Sequence, residues 1–104
     1  METNQRIIAT LEQLQLFFKK YSVDGWTKRT KEAIELIQRG KDRNAVLDNY
    51  IGSGMGSLID LYLLPDEMES LSLDDEEEVN LQLEALITDI MKIKYAIDRA
   101  TSDL

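Results

Sequence analysis

The chain has 104 residues, a net charge of −8, and neither cysteine nor histidine. That length fits one domain, residues 1–104. The missing residue types exclude disulfides, thiol chemistry, the usual zinc ligands and every Ser/His or Cys/His nucleophile pair.

Residues 4–21 read as a first helix, because Ile7, Leu11, Leu14 and Phe18 recur at spacings of four, three and four, with Ile8 and Phe17 widening the face. Thr3 or Asn4 suits its start, and Lys19 and Lys20 suit the negative pole at its end. After a turn at residues 21–25, Asp24 is the expected N-cap of a second helix over about residues 25–39, with Trp26, Thr30, Ala33 and Ile37 inward. Gly40 is the expected left-handed residue past its end. Asp42 should cap a third helix over residues 43–51, with Val46, Leu47 and Tyr50 or Ile51 facing the core.

The run Gly52-Ser53-Gly54-Met55-Gly56-Ser57 follows, with three of the five glycines. It misses a phosphate-binding loop on two counts: Gly52 and Gly56 are one residue too close, and Ser57 stands where the lysine is needed. The dinucleotide pattern also fails by one residue, and no strand precedes it. The expected role is structural. The glycines permit positive backbone angles or close contact, Met55 fills a gap in the core, Ser57 caps a short helix over residues 58–63, and Asp60 satisfies amides in that turn. A short strand over the same apolar residues is the rival reading, but no second strand is visible to pair with it.

Leu64-Pro65 ends that element, since the residue before proline resists helical geometry. Residues 66–73 read as a loop carrying Met68, Leu71 and Leu73. From Asp74 or Asp75 a long helix runs to about Ala100, with Val79, Leu83, Leu86, Ile90, Ile93, Ile97 and Ala100 as its seam. The expected fold is all-α, an irregular bundle of four main helices plus one short helix after the glycine-rich turn.

The charge is unevenly placed. Asp66, Glu67, Glu69, Asp74, Asp75, Glu76, Glu77 and Glu78 fall together with no basic residue among them, while the rest of the chain holds as many basic as acidic residues. No calcium loop fits, because no glycine lies after Gly56. Glu84 and Asp89 form no catalytic pair unless they share a pocket. No catalytic, cofactor or metal site is assigned, and an enzyme is the weakest reading. A dense negative patch suits a basic protein partner, with Tyr62, Glu67, Glu69, Asp74, Asp75, Glu76 and Glu77 as the expected contacts. Overall acidity argues against nucleic acid or an anionic membrane as the partner. With no apolar run of spanning length and no secretory-type start, the expected location is cytoplasmic.

The order of Trp26, a helix, Gly40, the block Gly54-Met55-Gly56-Ser57-Leu58-Ile59-Asp60-Leu61 and a long final helix resembles a group of small, uncharacterised bacterial proteins. Their shared mark is G-G-M-G-S-[LF]-N-D-L, and here Ser53 replaces the first glycine and Ile59 the asparagine. The group is similar in size and acidity to toxin-immunity proteins. The resemblance implies an antitoxin-like protein that occludes a toxin domain. A helical homodimer built on the long seam and an acidic, phage-type inhibitor that mimics nucleic acid are the alternatives.

Overall fold

The computed structural model describes residues 3–52 and 56–102. It contains α1 (Thr3–Lys20), α2 (Asp24–Gln38), α3 (Arg43–Ile51) and α4 (Glu76–Ser102), with no strand among the described residues. Short 3-10 turns at Leu58–Asp60, Pro65–Glu67 and Leu73–Asp75 punctuate the connection between α3 and α4. The fold is therefore all-α, and the expected bundle is compatible with how the helices meet.

The apolar spacing of α1 explains its central place. Ile7, Leu11, Leu14 and Phe18 are fully buried, and the helix packs against both α2 and α4. On α4, Val79, Leu83, Ile87, Ile90, Ile93 and Ile97 are buried, whereas Leu86 is half-buried and Ala100 is exposed. That seam lies within the core of this chain rather than on its surface. Helix α3 bridges α2 and α4, and buries both Tyr50 and Ile51. It is joined to α4 by Lys94, whose Nζ lies 2.8 Å from Asp48 and 2.5 Å from Asp98. Burial pulls the Lys94 pKa down, but the hydrogen bonds and charges of the two aspartates outweigh it and leave it raised.

The helix ends are set by local chemistry. Gly40 has a φ of +84°, its N–H reaches the Ile37 carbonyl, and the Lys41 N–H reaches the Leu36 carbonyl, so α2 closes in a Schellman motif. Asp42 caps α3 by accepting from the Asn44 amide at 3.0 Å. The start of α2 departs from expectation. Asp24 is the first residue of the helix, and Val23 occupies the cap position without a side-chain hydrogen bond. The turn before it explains this: α1 ends in a second Schellman motif, with Val23 N–H on the Phe18 carbonyl and Ser22 N–H on Lys19. That motif delivers Val23 to the start of α2 by backbone bonds alone, and Asp24 serves the positive helix pole instead.

Ser22 holds a φ of +57° in that motif, a region that disfavours any side chain. Ser22→Gly is expected to stabilise the protein by about 1 kcal/mol, read as a higher urea midpoint, whereas Ser22→Val should lower it.

Trp26 sits at the edge of the core, half-buried. Its ring meets Phe18 at 5.9 Å and Tyr50 edge-on at 5.8 Å, while the Arg29 guanidinium lies over it at 4.2 Å. Arg29 also donates to the carbonyls of Asn49 and Tyr50 at 3.3 Å, placing a cation at the end of α3. Beneath Trp26, the fully buried Thr30 hydroxyl lies 2.7 Å from the Trp26 carbonyl and 2.7 Å from the Tyr50 hydroxyl. A carbonyl only accepts, so Thr30 gives its proton to Trp26 and Tyr50 gives its own to Thr30.

Gly52, Gly56, Ser57 and Asp60 of the glycine stretch are described, while Gly54 and Met55 lie outside the described residues. Gly52 has a φ of +70°, and a Cβ there would sit 3.4 Å from that of Ser57. The backbone angle accounts for glycine, since the Ser57 contact is an ordinary one. The short helix expected over residues 58–63 is only a single 3-10 turn, Leu58–Asp60, and the Ser57 side chain makes no capping bond in it. Asp60 is exposed, and its carboxylate accepts no hydrogen bond from a described residue. From Leu61 the chain is extended rather than helical. The physical reason lies on α4.

Candidate protein-binding surface

Asn80 shapes this region. Its side chain is buried on the first turns of α4. Oδ1 accepts from the Leu63 N–H at 2.7 Å, while Nδ2 donates to the Leu63 carbonyl at 2.9 Å and to the Glu76 carbonyl at 2.9 Å. The amide thus pairs with both backbone groups of Leu63, as a neighbouring strand would. A helix through residue 63 would need those same groups, which is why the apolar run extends after one turn. The extended segment needs no second strand, because a side chain takes that place.

The clamp buries Leu63 and turns Tyr62 outward. The Tyr62 hydroxyl donates to Glu76 Oε2 at 2.8 Å. That bond holds the phenol pKa above its usual range, and the charges of Glu76 and Glu77 add to the effect. Between the extended segment and α4 runs a groove of about 630 Å³, with Ile59, Leu61 and Tyr62 on one side and Leu81, Ile87 and Met91 on the other. Glu77 and Glu84 stand along it. Ile59, Tyr62 and Leu81 are each more than half exposed.

The expected contact residues fall into two groups. Tyr62, Glu76 and Glu77 come together at the groove. Glu67 and Glu69 lie in and just after the turn Pro65–Glu67, and Asp74 and Asp75 in the turn Leu73–Asp75. All four are exposed. Asp75 accepts from the Ser72 hydroxyl at 2.8 Å. Among the described residues, no ion pair neutralises any of the acidic residues from Asp66 to Glu78. The loop is anchored from beneath by buried Leu71 and by the Ser70 hydroxyl, which donates to the Tyr21 carbonyl at 2.7 Å. Its acidic side chains are thus held at the surface on a tethered segment. Leu73, exposed within this stretch, and Leu64 just before it add apolar area.

Glu84 and Asp89 do not share a pocket. Glu84 lines the groove beside Tyr62, whereas Asp89 lines a separate one beside Arg6 and Arg43. Among the described residues, no group of three or more carboxylates is placed to hold a metal ion. No described helix is long and apolar enough to cross a membrane. Sequence reasoning overlooked Asn80, Leu81 and Met91. The one available signal was an asparagine beside seam residue Val79, one heptad before Ile87. Comparison with protein-family models, with curated proteins and with solved structures finds no match to this chain.

Proposed function

We propose that this chain is a binding protein that occludes a basic surface of a protein partner, in the manner of an immunity protein covering a bacterial toxin domain. One observation carries the reading. Among the described residues, no ion pair neutralises the acidic side chains from Asp66 to Glu78, and they flank exposed Tyr62, Leu64 and Leu73. Apolar area beside unneutralised charge of one sign is the composition of a surface that steers a partner by charge and holds it by burial. Tyr62 would sit at its centre, with Glu76 and Glu77 beside it and Glu67, Glu69, Asp74 and Asp75 toward the rim.

Co-expression with the product of the adjacent gene tests the proposal. A toxic product neutralised by complex formation is the expected result, and a harmless product or the absence of a complex would sink it. Within a complex, changing Glu67, Glu69 and Asp74 together to lysine should slow association by roughly tenfold or more and flatten its salt dependence. An unchanged association rate would show that this surface does not meet the partner.

A further inference from the structure

The outward face of α4 carries a pattern independent of its buried seam. Glu77, Leu81, Glu84, Thr88, Lys92, Tyr95 and Arg99 follow one another at spacings of four, three, four, four, three and four. At 3.6 residues per turn they fall within an arc of about 80°, so they form one stripe roughly 33 Å long. Every one of them is exposed. The spacing reads the same from either end, with Thr88 at its centre. The chemistry inverts about that centre: acid, apolar, acid on one side, and base, apolar, base on the other.

We infer that this stripe pairs with its own copy, as an antiparallel homodimer of α4 about a twofold axis at Thr88. In that arrangement Glu84 faces Lys92 of the second copy, Glu77 faces Arg99, and Leu81 packs on Tyr95. Each pairing occurs twice, as an isologous interface requires. A parallel arrangement would set like charges against each other, so the charges select the antiparallel one. Among the described residues the ion pairs are those of Lys94 with Asp48 and Asp98, and Glu77, Glu84, Lys92 and Arg99 form none. The groove beside the stripe receives the incoming helix, with Ile59 and Tyr62 as its outer wall. The contact is small and rimmed by exposed charge, which makes the dimer concentration-dependent and salt-sensitive. Tyr62 and Glu77 belong to both surfaces, whereas Glu67, Glu69 and Asp74 lie off the stripe, so lysine exchanges at those three positions report on a basic partner and leave the dimer unchanged.

Sedimentation equilibrium across tens to hundreds of micromolar, at low and high salt, reads the association. The chain has no cysteine, so Thr88→Cys introduces a single thiol at the twofold axis. It should form a covalent dimer on mild oxidation far faster than Leu16→Cys, a control at an exposed site on α1. Glu84→Lys or Lys92→Glu alone should weaken dimerisation about tenfold or more, and the two together in one chain should restore it. These positions are exposed, so helicity by circular dichroism should be unchanged. Rescue by the double exchange supports the inference. A monomer throughout at low salt, a dimer indifferent to both exchanges, or equal crosslinking of the two cysteine variants would overturn it.

Discussion

Replacing Asn80 with alanine is expected to destabilise the protein by about 3 kcal/mol, because two buried backbone groups of Leu63 lose their partners at about 1–3 kcal/mol each. A domain of this size has a net stability of only about 5–15 kcal/mol, so the change should be plain in urea unfolding. The effect should also be local. The Leu63 amide should lose its hydrogen-exchange protection before the α1 core does, since the clamp supplies the bonds to both backbone groups of Leu63. Asn80→Asp separates the clamp from simple packing. Its ionised carboxylate would face the carbonyls of Leu63 and Glu76 and could donate to neither. Once protonated, its hydroxyl could donate to Leu63 as the amide does. That buried carboxyl would have a raised pKa in the folded state, so its contribution is present at low pH and lost as pH rises. The gap in stability between this variant and the parent should therefore narrow on acidification. A gap independent of pH would show that the bonds to Leu63 carry little of the stability.

The second large effect is alkaline. Burial raises the Tyr50 phenol to about 12, against 10.0 for a free tyrosine, and outweighs the opposing Arg29 charge. The folded state holds this proton more tightly than the unfolded one. Its contribution is therefore fully present below about pH 10 and lost between about 10 and 12, at roughly 1.4 kcal/mol per pH unit and about 3 kcal/mol in all. Lys94 adds to the same trend, because its pKa is also raised and its contribution disappears as pH climbs through the folded value. Tyr50→Phe should cost about 1 kcal/mol at neutral pH, through the lost bond to Thr30, yet flatten the alkaline slope. Urea midpoints measured on both proteins across the alkaline range check this. Parallel slopes would place the alkaline sensitivity elsewhere.

Much of the fold was legible because its determinants are local. The spacing of Ile7, Leu11, Leu14 and Phe18 is a property of one helix, and so are the Asp42 cap and the left-handed Gly40. The α4 seam was equally readable, since Val79, Leu83, Ile90 and Ile97 need only one another in register. The start of α2 was less so. Asp24 has the chemistry of a cap, but backbone bonds from Ser22 and Val23 to the end of α1 had already set the turn.

The sequence by itself determined the helices, the concentration of acid between Asp66 and Glu78 and the absence of histidine and cysteine chemistry. Only the tertiary structure decided the course of residues 58–64. Their apolar run has no periodicity long enough to choose helix or strand, and its backbone conformation depends on hydrogen bonds from Asn80, seventeen positions beyond Leu63. The same contact opens the groove beside Tyr62 and makes one surface of Glu76, Glu77 and an extended segment far from them in sequence. Helical periodicity is written in near neighbours, whereas a side chain that substitutes for a strand is written in a single residue. Its role emerges only when α4 brings it against the backbone it holds.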